Sequence, residues 1–467
     1  MNYLKRKYIG DRDFYASVMT LVIPMILQNV ITNFVSMLDN IMVGQLGTEQ
    51  MNGVSIVNQF VFIFNITVFG AISGPGIFGA QFYGKGDHEG QRETVRFRLM
   101  LAAIIIVVFS IAYTIWQEPL ISLYIAKDDA PELIEATMKY GKEYMSIMII
   151  SCIPFAIGQA YSSVVRECGE TKIPMYGSMA AVFINLVLDY GLIFGKLGMP
   201  KLGVAGAAIA TVVAKFIEAG VVIFWAHTHH ERNKYIVGLF KSLYIKKELL
   251  INMIKKGTPL LFNEFLWVIG MSVVAQCYSI RGLDVVAARN ISSVITNLFG
   301  IVYIQIGGAT AIILGNKLGA GKLDEAKEMA PKLRVFGIML ALAMGICMIP
   351  FAYMFPNLYN TTATVRSLAA YLIIVSAIAM PLWSYTNTCY FTLRSGGRTG
   401  ITFLFDFVFT WIVMIPMAIV FCYFTKMDFM LLFAIITYTE VVKCIIGYFM
   451  VRSELWVVNM VAETTKN

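Results

Sequence analysis

Gln28, Thr32, Ser36 and Asp39 stand four, four and three residues apart in a run that otherwise reads as membrane-buried helix. At 100° per residue they fall within an arc of about 80°, and Asn29, Asn33 and Asn40 widen it. A carboxylate near the centre of a transmembrane helix costs about 2.5–3.5 kcal/mol, and less near an end. A lipid-facing helix would not carry such a stripe, so this face borders protein or water. Asp39 lies near the outer end of its run, where the interface would also shelter it. MYGSMAAVFINLVLDYGLIFG repeats the device, with Ser178, Asn185 and Asp189 on one face and one turn between the last two. Asn58 and Asn65, seven apart, share a face, and Thr211 sits mid-span in GAAIAT. Two carboxylates with carboxamide and hydroxyl neighbours suit a hard monovalent cation or a shared proton. Oxygen donors favour the first, and desolvation of a carboxyl favours the second.

These residues are positioned by a chain of 467 residues that is 58% hydrophobic and 14% charged. A soluble chain is about 45–50% apolar and about 25% charged, so the composition points to a polytopic membrane protein. Apolar stretches long enough for a hydrocarbon core of about 30 Å predict spans at 17–43, 52–80, 97–117, 141–163, 174–195 and 204–226. A second set is predicted at 252–279, 286–314, 334–355, 366–392, 400–422 and 428–450. The first run is read as a full-length helix rather than a cleavable signal. The seven cysteines are scattered, with no Cys-x-x-Cys, and read as small apolar residues.

With the N-terminus inside, 26 Lys/Arg fall in cytoplasmic segments and nine in external ones, and Lys215 and Lys443 lie within helices. This is the positive-inside bias, carried by Lys5-Arg6-Lys7, Lys246-Lys247 and the loop from Lys317 to Arg334. The net charge of +8 therefore orients the chain and meets anionic lipid; no nucleic-acid partner is implied. All four histidines fall outside the expected spans, which argues against an intramembrane enzyme. His227, His229 and His230 are read as a solvated face rather than a metal cluster.

A shift of 235 residues superimposes the two halves near their starts. Pro24 falls on Pro259, Gly47 on Gly282, Ile56 on Ile291, Phe64 on Phe299, Gly84 on Gly319, Gly86 on Gly321 and Glu93 on Glu328. Later RECGET (166–171) answers RSGGRT (394–399) at a shift of 228. Six helices separate equivalent points, so both halves sit the same way up. The expected fold is an all-α polytopic membrane protein of twelve transmembrane helices, in two six-helix bundles related by a pseudo-two-fold along the membrane normal. The expected divisions are an N-terminal segment 1–13, a first lobe 14–226, a basic amphipathic linker 227–250 along the membrane surface, a second lobe 251–452 and a tail 453–467.

The second half departs from the first. Its clearest deep acid is Glu264, whose repeat mate is the neutral Asn29. Lys215 and Glu218 are three apart, as are Glu440 and Lys443 in reversed order, and such pairs lower each other's burial cost; Asp406 has no evident role. The 27 methionines and the aromatics would suit a cavity for flat, greasy ligands, although membrane cores are rich in both. Pro24 and Pro259 each remove one helical hydrogen bond, as a hinge or as a static kink.

IP at 23–24, LDNIMVGQLG, the YGKGD loop, RECGETKIP and NLVLDYGLIFGKLGMPKLGVAGAAIAT together resemble the multidrug and toxic compound extrusion (MATE) transporters over nearly the whole chain. The resemblance implies two lobes forming a V, with secondary active efflux of organic cations or other drugs in exchange for Na+ or H+ by alternating access. Asp39 matches the family's first-helix aspartate, Asn185 and Asp189 its fifth-helix pair, and Thr211 a sixth-helix position near that cation site. Na+ is one candidate ligand for Asp39, Asn185 and Asp189; no other cofactor is expected. Gln28, Asn29, Ser36 and Asn58 are read as substrate or gating positions and Pro24 as a hinge. Some members carry an acid on the tenth helix, where PLWSYTNTCYFTLRS offers only Ser384, Thr386 and Asn387. Members with a seventh-helix glutamate place it about one turn later, at the position of Trp267 here. Glu264 is therefore read as a substrate or gating residue rather than part of a second cation site. The expected partners are small-molecule drugs or organic cations and the lipid bilayer, with the chain acting as a monomer in the inner membrane and both termini cytoplasmic. The second reading, a lipid-linked oligosaccharide flippase, would require unpaired Arg or Lys for a pyrophosphate, whereas Lys215 and Lys443 each have a glutamate three residues away.

Overall fold

The computed structural model describes residues 7–125 and 130–462. Lys5 and Arg6 of the N-terminal basic run, and the last five residues of the tail, lie outside them. Among the described residues there is no strand. Twelve helices are long and apolar enough to cross a membrane. In the first half these are α1 (Arg12–Gly44), α2 (Thr48–Lys85), α3 (His88–Ile115), α4 (Pro131–Glu167), α5 (Lys172–Phe194) and α6 (Val204–Thr228). In the second they are α7 (Lys247–Ser279), α8 (Leu283–Gly319), α9 (Leu323–Leu358), α10 (Ala363–Ser395), α11 (Thr399–Phe424) and α12 (Phe429–Arg452). A chain in hydrocarbon must satisfy its backbone polar groups internally, which helices do.

Every expected span falls on one of these helices, but several helices run further. α3 begins at His88 rather than at 97, through the charged turns holding Arg92, Glu93 and Arg96. Hydropathy measures the hydrocarbon, whereas backbone hydrogen bonding continues into the interface. For the same reason His88 opens α3 and His227 lies in the last turn of α6, instead of both lying beyond the helices. α1 and α7 continue through Pro24 and Pro259 without a break. α11 slips into π-helical turns at Val408–Met414 and Val420–Phe424, on either side of a turn containing Pro416. Proline lacks the amide hydrogen and crowds the preceding turn.

The chain divides into two compact units, one of residues 1–26, 80–87 and 251–467 and one of 27–79 and 88–250. The division falls within a turn of Pro24 on α1 and shortly after Pro75 on α2. In the first unit, repeat-related residues meet at the ends of α2 and α8. A Cβ on Gly84 would overlap the carbonyl oxygen of Asn316, and one on Gly319 would overlap that of Gln81. Gln81 and Asn316 are themselves related by the shift of 235, so each helix presents a glycine to the other's backbone. The residues after α12 pack over this crossing. Trp456 is buried, Gln81 Nε2 donates to the Ser395 carbonyl at 2.9 Å and Gln81 Oε1 accepts from the Met460 amide at 2.8 Å. Lys85 Nζ donates to the Val461 carbonyl at 2.9 Å.

The second unit holds a buried ion pair, Arg98 Nη2 to Glu167 Oε2 at 2.8 Å, with Nη2 also donating to the Pro75 carbonyl and Nη1 to Ser163 Oγ. The segment after α6 forms two short 3-10 turns, Lys234–Ile236 and Leu239–Lys241. They are held on α3 by Arg92 to the Tyr235 carbonyl and by Arg96 to the carbonyls of Gly238, Leu239 and Tyr244. Its exposed Val237, Phe240, Leu243 and Tyr244 alternate with lysines, a composition suited to a membrane interface. His227 Nε2 lies 3.0 Å from the Tyr161 hydroxyl, and its ring stacks on Phe240.

Overpacking a tight crossing costs about 1–3 kcal/mol. Gly84→Val is therefore expected to lower the melting temperature in detergent by several degrees, with Gly319→Val alike. A melting curve unchanged from the parent would show that the crossing is looser than described.

Candidate functional site

α1 and α5 touch at two levels with the same register. At the lower level Gln28 Nε2 donates to Ser178 Oγ at 2.8 Å. At the upper level the Asp39 and Asp189 carboxyls lie within hydrogen-bonding reach of each other. Gln28 to Asp39 and Ser178 to Asp189 are both steps of eleven residues, about three turns and about 16 Å of rise. Two parallel helices with polar residues at this matched spacing meet polar-to-polar at both levels.

Around the upper level stand four further polar groups. Asn185 precedes Asp189 by one turn of α5, and these two are 4% and 1% exposed. Tyr144 of α4 is buried near both aspartates, with its hydroxyl in reach of Thr211 on α6 and 3.5 Å from Asn58 Oδ1 on α2. Five helices of the second unit thus converge on one cluster of oxygens. Asp39 Oδ1 and both carboxylate oxygens of Asp189 are buried, and Asp189 faces the Asp39 carboxyl and the Asn185 side chain. Two facing buried carboxylates repel unless a proton or a cation lies between them. Carboxylate, carboxamide, hydroxyl and phenol oxygens are hard donors, and the set fits Na+ as well as a shared proton.

At the lower level the chain of contacts runs on. Ser178 Oγ donates to Glu218 Oε1 at 2.6 Å, Lys215 Nζ pairs with Glu218 Oε2 at 2.9 Å, and Arg166 Nη2 donates to Gln28 Oε1 at 3.0 Å. Lys215 also lies 5.4 Å over the Phe155 ring. Of the residues expected on the first-helix face, Gln28 belongs to this lower network rather than to the acid pair. Thr32 spends its hydroxyl on the Gln28 carbonyl. Asn29 is half-buried, with its carbonyl accepting from Asn33 Nδ2, while Asn33, Ser36 and Asn40 are exposed. Exposed amides and a hydroxyl at that depth face water rather than hydrocarbon.

Glu264 lies in the other unit. It sits close to Arg394, Asp406 and Tyr390. Its helix neighbour Asn263 donates to Asp406 Oδ2 at 3.1 Å, and Asp406 Oδ1 pairs with Lys443 at 2.6 Å. Lys443 is 4.0 Å from Glu440, which accepts from Thr386 Oγ1 at 2.7 Å. The shift of 228 that pairs Arg166 with Arg394 also pairs Ser178 with Asp406 and Lys215 with Lys443. Gln28 and Asn263 are likewise related, by 235. The lower network is therefore duplicated, with its acid at Glu218 in one half and at Asp406 in the other. Reading Asp406 and the two lysines by their sequence neighbours alone missed this; applying the repeat shift to them would have found it. Tyr144 was missed because its helix carries no polar stripe around it.

A family model described as MatE matches residues 24–191 and again 259–424. The chain belongs to the MatE family. The two matched segments begin at Pro24 and Pro259, the pair related by the shift of 235. The chain is 23% identical over 422 residues to a probable multidrug resistance protein NorM of Thermotoga maritima, covering 90% of this chain and 88% of that protein. It is 24% identical to the probable multidrug resistance protein YoeA of Bacillus subtilis, covering 89% and 88%. Among solved structures, a MATE family transporter in an outward-facing conformation superimposes with a TM-score of 0.82 at 20% identity, covering 94% and 95%. A MATE structure in a straight conformation gives 0.82 at 19% identity with the same coverage. The protein is thus a multi-pass membrane protein of a transporter family, with the twelve-helix, two-bundle MATE fold.

If Asp39 and Asp189 act as one site, their losses do not multiply. The double variant Asp39→Asn/Asp189→Asn is expected to reduce ion-driven transport no further than the worse single variant. Single losses of about tenfold that combine to about a hundredfold would make them separate sites.

Proposed function

We propose that this protein is a secondary active multidrug efflux transporter of the inner membrane, exporting organic cations or other drugs in exchange for Na+ or H+. The observation that carries the reading is the pair of facing carboxylates, Asp39 and Asp189, with oxygens buried inside membrane-spanning helices. The multidrug resistance names of relatives that span nearly the same length support the substrate class. In this reading Asp39 and Asp189 hold the coupling ion, and Asn185 and Thr211 complete its shell. Gln28, Asn29, Ser36, Asn58 and Glu264 meet the substrate or the gate.

Export requires that ion and substrate favour different states, because a ligand with equal affinity for both states shifts nothing. Pro24 is a suitable hinge: it removes one hydrogen bond from α1, and the division between the units falls within a turn of it. The positive-inside bias supports cytoplasmic termini, and the chain works as a monomer. The pairing of both deep lysines with acids, Lys215 with Glu218 and Lys443 with Asp406, leaves neither free for a pyrophosphate and disfavours the flippase reading.

Reconstituted into liposomes, the protein should export a fluorescent organic cation such as ethidium when a Na+ gradient or a pH gradient is imposed. Asp39→Asn should insert normally and lose at least tenfold of that gradient-driven rate. Undiminished export by the variant would remove the carboxylate pair from the coupling step.

A further inference from the structure

Lys215 lies between the two polar levels of the second unit. It follows Thr211 of the upper level by one turn and precedes Glu218 of the lower level by three residues, about 6 Å and about 4.5 Å along the axis. A lysine chain spans distances of that order. Its ammonium is 2.9 Å from Glu218 Oε2 and also acts electrostatically on Asp39. Glu218 does not depend on it alone. Ser178 donates to the other carboxylate oxygen at 2.6 Å, and the Arg166 guanidinium stands nearby. The corresponding Lys443 differs, being held by Asp406 at 2.6 Å with Glu440 at 4.0 Å. The charged groups that face Lys215 are Asp39 on α1 and Glu218 on its own helix; Asp189 on α5 and Tyr144 on α4 neighbour Asp39, and Arg166 on α4 neighbours Glu218.

We propose that Lys215 is an internal counter-cation, which pairs with Glu218 while the coupling ion is bound and turns to Asp39 when that ion leaves. The inference rests on the antiport reading and deepens it. On release the net charge of the cluster falls by one, but Asp39 and Glu218 each keep a counter-charge. With the ion bound, one positive charge neutralises one aspartate while the ammonium neutralises Glu218. After release, the ammonium replaces the ion at Asp39, and Glu218 keeps the Ser178 hydroxyl and Arg166. The emptied site then carries no additional uncompensated carboxylate as the protein returns through a low-dielectric barrier. Lys215 is a positioning residue in this scheme: it touches neither substrate nor ion, and it sets how readily the ion is given up.

The test is ethidium efflux from proteoliposomes, read as the Na+ or H+ concentration that gives half-maximal rate. An opposite charge within about 4–6 Å changes the balance of a carboxyl by tenfold or more. Lys215→Gln removes the competitor, so the half-maximal ion concentration should fall about tenfold. Net efflux should slow, while ethidium counterflow, which needs no return of an empty site, persists. Glu218→Gln removes the resting partner and should raise the half-maximal concentration, and Lys215→Arg should restore it close to the parent value. A Lys215→Gln protein with the parent half-maximal concentration, but a lower maximal rate or melting temperature, would make the lysine a structural ion pair and overturn the proposal. If Lys215→Gln fails to fold, a half-maximal concentration in Glu218→Gln equal to or below the parent value overturns it equally. A parent protein indifferent to both gradients would overturn the antiport reading together with the lysine's role. A coupled parent with unaltered variants would overturn the lysine's role alone.

Discussion

A charge inside hydrocarbon must be matched, and that requirement organises the second unit. Asp39, Asp189, Glu218, Lys215 and Arg166 come from four helices, α1, α4, α5 and α6. Each meets an opposite charge, a polar donor or a facing acid. Such meetings need close helices, and small residues provide them. A Cβ on Gly177 of α5 would stand 3.0 Å from the Glu218 carbonyl, and one on Gly158 of α4 would stand 3.0 Å from Ala219. Lipid offers little hydrophobic drive between helices, so association rests on such close packing and on interhelical hydrogen bonds. The glycines that bring α5 and α4 against α6 also set the polar levels side by side.

The two halves share the lower network and differ at the upper one. The repeat positions of Asp39, Asn185 and Asp189 are Val274, Val413 and Met417. Val274 belongs to an apolar core with Ile415 and Ala418. Where one half gathers oxygens, the other is filled with hydrocarbon. The last helix of each half carries a lysine, paired with Glu218 in one half and with Asp406 in the other. A buried lysine without an acid would be an uncompensated charge, so the acid could change position but not disappear.

The exposed polar face of α1 has a separate consequence. Asn33, Ser36 and Asn40 are exposed on the helix that carries Asp39, while Asp39 Oδ1 and the Asp189 carboxylate oxygens are buried. In the proposed antiport, the exposed face would be the approach for a hydrated ion and the buried oxygens its desolvated seat.

Sequence alone determined the twelve spans, because apolar run length maps directly onto membrane thickness, and the repeat, because equivalent glycines and prolines hold equivalent backbone geometry. It also nominated Asp39, Asn185, Asp189 and Thr211, since acids and amides are costly enough in apolar runs to stand out. What it left open was which polar residues meet. Gln28 and Asp39 share a helical face, yet one bonds Ser178 and the other faces Asp189, because matching depends on the axial register of α1 against α5. Tyr144 entered the site, and Lys215 came between the two levels, through packing of α4 and α6 that no local pattern encodes. Residue type fixes the cost of burial, but only the tertiary contacts decide how that cost is met.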